Sequence, residues 1–375
     1  MLFLSIGDKT MQLLNSRKFQ LTQLPEQLQD SIQDMVSHIQ IESYYSIKHT
    51  RYKHSTMPDS VISQFQKLPL QIQQQHLKFQ LRNFIYSNYY NVNTNNKSST
   101  DENVNSSKLN KQLENNSLFG VDLEFYDRLH NGNKGKGYWS HNWEIVKEET
   151  DGTLAVYKNG LTLHVDPNVH LSPTIGSLSA GKTISVKMPK NLVQNGFYMA
   201  VANAGTQNNQ GITRIYFNIA AEGAPTVMES VTEYLNDLDI SFSFKALYEP
   251  SDYQRYDSAV LYFNKSQHQT VWPVLQKIYA KNELYFQQAV PMFTKILAPG
   301  LGCAEEPEQK FGDQESFGTH RCQIIANGLI EAWLAGNHTP EDRISAIFEQ
   351  FALQNIQLQH PYLNPHSQDI YTPFF

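Results

Sequence analysis

The stretch Thr213-Arg214-Ile215-Tyr216-Phe217-Asn218-Ile219 alternates polar and apolar side chains along its whole length. Successive side chains of a strand point to opposite faces, so Ile215, Phe217 and Ile219 would share one face. Arg214, Tyr216 and Asn218 would share the other. The pattern therefore predicts a sheet with one buried apolar face and one face that carries cations and tyrosines.

Two further stretches repeat this pattern. In residues 240–245 (ISFSFK), Lys245 stands on the face opposite Phe242 and Phe244, and in residues 184–188 (ISVKM), Lys187 also opposes an apolar face. Rows of Lys, Arg and Tyr on one sheet face favour a pocket for an anionic group such as phosphate. The alternative is a solvated sheet face, because exposed strands often carry Lys and Arg. Seven cations recur in this part of the chain: Lys187, Lys190, Arg214, Lys245, Arg255, Lys295 and Arg321.

Composition excludes several classes of protein. The 375 residues carry a net charge of −6 with a pI near 6.1, which argues against a general nucleic-acid-binding protein. Cys303 and Cys322 are the only cysteines, so we expect neither a disulfide framework nor a thiolate metal site, and a reducing cytoplasm is the simplest location. No signal peptide or membrane span is predicted. The histidines lack the spacing of a zinc site, so no metal is expected.

The chain divides by pattern into four parts. Residues 1–90 have apolar residues at helical spacing, and residues 91–117 are rich in Asn and Ser, as is typical of a flexible linker. Asp151-Gly152 and Asn159-Gly160 lie between alternating runs and predict a β-meander. From residue 184 onward, predicted strands alternate with helices. The predicted fold is α+β: a helical N-terminal region, a mixed-sheet α+β domain over residues 118–335, and a helix with an irregular tail over residues 336–375.

One match to a nucleotide-binding pattern is weighed against its context. Residues 176–183 (GSLSAGKT) fit the P-loop pattern, which functions only between a buried strand and a helix. Here Pro167 and Pro173 precede the match, and the following residues alternate like a strand before Pro189 ends it. We therefore expect no nucleotide site. Residues 316–321 (SFGTHR) open a predicted helix, where His320 is either functional or simply a residue of the helix start.

A series of motifs resembles the HopA-type effector-like family. The resemblance covers roughly residues 118–335, and its motifs occur in order. The motifs are KMPK (187–190), NGFYMAVANAG (195–205), TRIYFNI (213–219), FKAL (244–247), YQRYDSAVLYF (253–263), FTKILAPGLGCAEEP (293–307) and ESFGTHRCQIIANGL (315–329).

The resemblance implies a reaction. Many members of this family resemble the lyase partners of a peptide kinase, as in class V lanthipeptide and thioamitide pathways. The kinase phosphorylates Ser or Thr of a ribosomal precursor peptide, and the lyase removes the phosphate by β-elimination to leave dehydroalanine or dehydrobutyrine. No metal or organic cofactor is implied. The implied partners are the precursor phosphopeptide and the cognate kinase, with no nucleic acid and no membrane.

The order of elements is also similar to that of the phosphothreonine lyase effectors, and this similarity implies roles for individual residues. Lys245 matches the base, Arg214 and Arg255 match phosphate-binding residues, and Tyr262 matches a following tyrosine. Arg321 matches a later phosphate-binding arginine, and the cationic pattern adds Lys187 and Lys295, with Asn218 in support. The sequence departs from the pattern at the acid, since Tyr216 stands where those enzymes have His.

Several alternatives stay open from the sequence. Either Tyr216 or His320 donates the proton, or the cations around the phosphate make an acid less necessary. For the whole chain, the alternatives are a non-catalytic phosphopeptide-binding adaptor of a peptide kinase and a secreted effector that acts on a host protein.

Overall fold

The computed structural model describes residues 21–52, 57–92, 122–172, 178–207, 211–313 and 315–374. Helices and sheets mix throughout these residues, which confirms the predicted α+β class. The helices are α1 (Glu26–His38), α2 (Asp59–Phe65), α3 (Leu70–Ile85, continued by a π-helical turn at Tyr86–Tyr90), α4 (Leu123–Gly132), α5 (Pro167–His170), α6 (Ala224–Asn236), α7 (His268–Asn282), α8 (Phe317–Leu334) and α9 (Pro340–Leu353).

The N-terminal helices form where the apolar spacing predicts them. In α1, Leu28, Ile32, Met35 and Val36 are buried, and they lie one helical turn apart. A hairpin of β1 (Ile39–Ser43) and β2 (Ser46–His49) follows, which the sequence patterns did not predict.

The predicted β-meander is present as part of a four-stranded sheet. Its strands are β3 (Tyr138–Glu148), β4 (Leu154–Lys158), β5 (Leu161–Val165) and β6 (Thr183–Met188), in the order β5-β4-β3-β6. Asn159 and Gly160 both have positive φ, as a tight hairpin turn requires. The sheet has its own small apolar cluster around Trp143, Ile145 and Val156.

The segment that fits the P-loop pattern leads into a strand. Thr183 begins β6 and pairs with Glu144 of β3, so no helix N-terminus follows Lys182. Gly176 and Ser177, at the start of the match, lie outside the described residues. The local structure therefore agrees with the expectation that this match does not form a phosphate-binding loop.

The seven-stranded sheet organises the rest of the molecule. Its order is β12-β13-β9-β11-β10-β8-β7, and all its neighbouring strands are antiparallel. Its strands are β7 (Asn191–Gln194), β8 (Phe197–Val201), β9 (Ile212–Phe217), β10 (Phe242–Leu247), β11 (Ala259–Asn264), β12 (Lys295–Ala298) and β13 (Leu301–Glu305). The predicted apolar face is buried, and Phe217, Phe244 and Phe263 have no exposed surface.

The N-terminal helices and this sheet share one hydrophobic core, which runs from Leu21 to Tyr371. Helix α3 packs along α8, and α9 packs against both α8 and α1. The predicted boundary near residue 90 thus marks a change in sequence pattern. The helices before it pack in the same hydrophobic core as the sheet. The predicted linker, residues 91–117, falls outside the described residues apart from positions 91 and 92. No helix of the described residues is long and apolar enough to cross a membrane.

Candidate functional site

A cleft of about 310 Å³ opens on the polar face of the seven-stranded sheet. Three adjacent strands contribute Arg214 from β9, Tyr262 from β11, and Ser243 and Lys245 from β10. The segment between β13 and α8 contributes the opposite wall. Its lining side chains are Glu306, Lys310, Asp313, Glu315 and Ser316.

Strand register explains why residues so distant in sequence meet here. Tyr262 is paired with Arg214 on one side and with Ser243 on the other, so these three side chains share a face. Lys245 follows Ser243 by two positions and therefore lies on that face as well. The predicted base, one phosphate-binding residue and the supporting tyrosine are brought together by three neighbouring strands.

Cations and aromatic rings alternate along this face. The Tyr262 ring centroid lies 5.0 Å from the Arg214 guanidinium carbon and 5.7 Å from Lys245 Nζ. The Phe197 ring lies 4.2 Å from Lys245 Nζ and 5.8 Å from the Arg255 guanidinium. Lys245 Nζ is thus positioned by contacts with two aromatic rings.

Lys245 differs from the other cations in its partners. It is half-buried, and among the described residues none accepts a hydrogen bond from its Nζ or forms an ion pair with it. Its ammonium is therefore available to a ligand in the cleft.

Glu306 holds two cations at the cleft wall. Arg214 Nε donates to its carboxylate, and Lys310 Nζ lies 2.5 Å from Oε1. Burial acts to raise the pKa of Glu306, but Arg214 and Lys310 outweigh burial and hold this pKa below its usual value. Glu306 is therefore ionised near neutral pH, and it fixes the positions of both cations.

Glu315 is the second glutamate in this wall, and its environment differs. The residue is buried, and its Oε2 accepts a hydrogen bond of 2.8 Å from the Phe311 amide. Burial raises the pKa of Glu315, although the Phe311 amide and nearby cations oppose the change. Two glutamates of one cleft thus have pKa values displaced in opposite directions.

Tyr216 lies on the same strand face as Arg214 but outside the cleft lining. Tyr216 is 2% exposed, and its ring centroid lies 6.2 Å from that of Phe317 in α8. Its hydroxyl lies near the side chains of Tyr90 and Arg214. Burial raises its pKa. The cover provided by α8 and the π-helical turn separates this predicted acid from the cleft.

His320 and Arg321 also lie outside the cleft lining, within the packed body of α8. Arg321 Nη1 donates to His320 Nδ1 at 2.7 Å, while Nε and Nη2 donate to the carbonyls of Pro361 and Leu363. Burial, aided by Arg321, lowers the pKa of His320 to about 3. His320 is therefore neutral at physiological pH, with its Nδ1 occupied as an acceptor.

The remaining predicted residues have structural partners elsewhere. Lys187 donates to the Gly137 carbonyl at 3.0 Å in the four-stranded sheet, and Lys295 pairs with Asp369 at 2.6 Å. Asn218 donates to the Ala289 carbonyl at 2.8 Å. Arg255 pairs with Asp257 at 2.9 Å and approaches the cleft only through Phe197. Of the predicted site residues, the structure gathers Arg214, Lys245 and Tyr262.

Sequence reasoning did not single out Glu306, Lys310 or Glu315. They lie in an irregular segment between β13 and α8, where no periodic pattern assigns a face. The one signal was the density of charge in residues 305–310 (EEPEQK), directly after a strand.

A cluster outside the cleft has the residue types of a metal site. One ligand atom each of Asp34, His38 and His49 lies within 4.8 Å of the others. The Asp34 carboxylate, however, is already paired with Arg51 and accepts from Tyr89 at 2.7 Å. These contacts identify a structural network around Asp34.

Two cavities of 420 Å³ are larger than the cleft, but their chemistry differs. One lies between α1, β1 and the ends of α8 and α9, and its only Lys or Arg is Arg343, which donates to the Val36 carbonyl. The other, beside the C-terminal tail, has no Lys, Arg, Asp or Glu in its lining. Of these three cavities, the cleft with Lys245 has the lining best suited to an anion.

Comparisons with known proteins agree with the motifs. The model of the HopA1 effector protein family matches residues 188–363, just under half of the chain. A solved structure of an effector protein from Pseudomonas syringae pv. tomato strain DC3000 aligns at 18% identity and a TM-score of 0.36, over 45% of this chain and 63% of that one. A second effector protein, from Pseudomonas syringae pv. syringae strain 61, aligns at 14% identity and a TM-score of 0.39, over 65% of this chain and 81% of that one.

This chain therefore spans less than two thirds of the first of these effectors. No curated protein matches the chain. The family match contains every residue of the cleft discussed above, from Arg214 to Ser316. Residues 188–363 therefore match the HopA1 effector protein family, in agreement with the HopA-type resemblance of the motifs.

Proposed function

We propose that this protein is a lyase that removes phosphate by β-elimination from phosphorylated Ser or Thr. One observation carries the proposal: Lys245, Arg214 and Tyr262 line one cleft, in which the Lys245 ammonium has no partner among the described residues. Phosphoserine and phosphothreonine side chains combine an anionic leaving group with an acidic Cα–H bond. In this cleft the Lys245 amine could remove the Cα proton, and the Arg214 and Lys310 cations could bind the phosphate.

Lys245 is the proposed base. In its neutral form its Nζ takes the proton from Cα, the electrons of that bond form the Cα=Cβ double bond, and the Cβ–O bond breaks to release phosphate. The half-buried position between the Phe197 and Tyr262 rings limits the directions that Nζ can take. This positioning contributes to catalysis because a base acts only within reach of its proton.

Arg214 and Lys310 are the proposed phosphate-binding groups. Both form ion pairs with Glu306, and both line the same cleft as Lys245, which lies on the sheet. Charge-assisted hydrogen bonds to phosphate oxygens stabilise the charge that develops on the leaving group. Arg255, which pairs with Asp257 and contacts Phe197, does not line the cleft and has no role in this proposal.

The substrate we propose is a ribosomal precursor peptide that a cognate kinase has phosphorylated, in the cytoplasm. The family resemblance supports this assignment, and the product would carry dehydroalanine or dehydrobutyrine. The chemistry at the cleft would be the same for an effector acting on a phosphorylated host protein.

A phosphopeptide-binding adaptor is the second candidate. The observation that favours it is the pairing of Arg214 and Lys310 with Glu306, which holds two cations in place for phosphate binding without any role for a base. An adaptor would bind the phosphopeptide and leave it intact.

The test is an elimination assay on synthetic phosphoserine and phosphothreonine peptides. Mass spectrometry follows the loss of phosphoric acid, and an added thiol traps the dehydroamino acid. We expect Lys245→Ala to lower the rate about 100- to 10,000-fold, the contribution of a general base, while phosphopeptide still binds. Lys277→Ala, at an exposed position of α7, is the control and should match wild type.

Two outcomes would contradict the proposal. Elimination by Lys245→Ala at the wild-type rate would remove Lys245 as the base. Tight binding by wild type without any loss of phosphate would favour the adaptor.

A further inference from the structure

We propose that Glu315 is the proton donor to the departing phosphate, an inference that rests on the lyase function proposed above. The two acids suggested by sequence, Tyr216 and His320, both lie outside the cleft lining. Glu315 lines it, together with Lys245 and Arg214. The reaction needs a base at Cα and benefits from an acid at the phosphate oxygen, and these groups must face the same substrate.

The carboxyl group of Glu315 is held in place at one oxygen and free at the other. Oε2 accepts from the Phe311 amide at 2.8 Å, and the Glu315 amide donates to the Gly312 carbonyl at 3.0 Å. Among the described residues, none hydrogen-bonds Oε1, and Oε1 is not among the buried atoms that lack a partner. A fixed carboxyl with one oxygen open to the cleft has the geometry of a proton donor.

The two glutamates of the cleft occupy contrasting environments. Glu306 faces two cations at close range and is kept ionised, whereas burial raises the pKa of Glu315. Opposite displacement of two carboxyl groups in one site is the arrangement that divides roles between an acid and a charge-stabilising group. Glu306 would hold Arg214 and Lys310, and Glu315 would carry the proton.

Charged groups on several elements either act on Glu315 from outside the cleft or lie in the cleft lining with it. Cations act to lower its pKa, and burial is the larger effect that raises it. An incoming phosphate would add negative charge and raise it further, which favours the protonated form when substrate is bound. The charged groups are Arg82 of α3, Lys310 of its own segment, Arg321 of α8, and the lining residues Arg214, Lys245, Glu306 and Asp313.

Tyr262 is the competing donor, because its hydroxyl has no hydrogen-bond partner among the described residues and it lines the same cleft. A phenol is a weaker acid than a carboxyl group, however, so it donates less readily near neutral pH. The Tyr262 ring also has a separate task, since it packs between Arg214 and Lys245.

The proposed step balances. Neutral Lys245 takes the Cα proton, the C–H electron pair becomes the double bond, and the Cβ–O bond breaks with its electrons on oxygen. Glu315 gives its proton to that oxygen, so phosphate leaves as the protonated species. Lys245 ends as an ammonium and Glu315 as a carboxylate, and exchange with solvent resets both.

The experiment compares Glu315→Gln with wild type in the full chain, using single-turnover elimination from a phosphothreonine peptide across pH. Gln keeps the shape of the side chain and an oxygen for the Phe311 amide, so the fold should persist. We expect the rate to fall about 100-fold or more with phosphopeptide affinity unchanged. The decline of rate at high pH, caused by loss of the acid's proton, should disappear in the variant.

The controls separate this proposal from the proposed function. Glu308→Gln, at an exposed residue of the same segment but outside the cleft lining, should keep the wild-type rate and pH profile, and Glu315→Asp should recover part of the lost rate. Unchanged rate and pH profile in Glu315→Gln would overturn Glu315 as the donor, as would a loss confined to phosphopeptide binding. Loss of the high-pH decline in Tyr262→Phe instead would assign the proton to Tyr262. Absence of elimination in wild type would overturn the lyase function itself, and Glu315's role with it.

Discussion

At the scale of single residues, burial separates chemically similar groups into different roles. Lys245 and Arg321 both came from the same cationic pattern, but Lys245 borders a cleft while Arg321 is 1% exposed and donates to two carbonyls of the C-terminal tail. The two side chains are both cationic, so the difference in role comes from their surroundings. His320, beside Arg321, follows the same rule and is held neutral by burial.

The buried neutral His320 predicts a pH dependence of stability. The pKa of His320 is about 3 in the folded protein and about 6.5 in an unfolded chain. Below pH 6.5 the unfolded state therefore binds more protons than the folded state, and the free energy of unfolding decreases as the pH is lowered. Between pH 7 and pH 5, wild type should lose about 2 kcal/mol more unfolding free energy than His320→Asn. Urea unfolding at both pH values measures this difference. His338→Asn, at an exposed position, is the control, and equal losses in all three proteins would contradict the prediction.

At the scale of elements, α8 links the candidate site to the rest of the molecule. It covers Tyr216 through Phe317, begins two residues after Glu315, and packs against both α3 and α9. The contact with α9 is close at Gly328, where an added Cβ would lie 2.7 Å from the Cα of Ile347 and 2.8 Å from its nitrogen. Only the absence of a side chain permits this approach.

Gly328→Ala should therefore destabilise the protein, although Ala favours helix more than Gly. The clash is with backbone, which cannot rotate away, so we expect a loss of about 1–3 kcal/mol despite a propensity gain of about 1 kcal/mol. Denaturant unfolding measures the change. Gly312→Ala, where nothing lies within 4 Å of the added Cβ, should be close to neutral. A Gly328→Ala variant as stable as wild type would indicate that α8 and α9 separate readily.

At the scale of the whole molecule, the irregular tail predicted from its prolines is ordered against the core. Glu305, at the end of β13, hydrogen-bonds to several residues of this tail. Its Oε1 accepts from Ser367 at 2.8 Å and Tyr371 at 3.0 Å, and its Oε2 accepts from the Asn364 amide at 2.9 Å. Lys265 completes the buried cluster with an ion pair of 2.5 Å. The buried carboxylate of Glu305 thus connects strand β13 to the C-terminal tail.

Glu305→Ala should destabilise the protein by about 3–5 kcal/mol, because the change leaves Lys265 and several donors without their shared acceptor. Chemical unfolding gives the loss, and proteolysis should cut first in the tail. Glu308→Ala, at an exposed position three residues on, should have little effect. Unfolding of Glu305→Ala at the wild-type midpoint would mean that apolar packing alone holds the tail.

The sequence by itself determined which faces the strands around Arg214, Lys245 and Lys187 present. The alternation around Arg214 and Lys245 was sufficient because side chains on a strand repeat every two residues, whatever the surrounding fold. It also determined the N-terminal helices and the hairpin turns at Asn159 and Gly160, where local geometry depends on neighbouring residues alone.

Only the tertiary structure decided which of these residues meet. Antiparallel pairing placed Arg214, Tyr262 and Ser243 side by side, and the packing of α8 removed Tyr216 from the cleft. An irregular segment, which has no periodic pattern of apolar residues, contributes Glu306, Lys310 and Glu315 to the site. The physical reason is that periodicity fixes direction within one element, whereas proximity and burial depend on how elements far apart in sequence pack together.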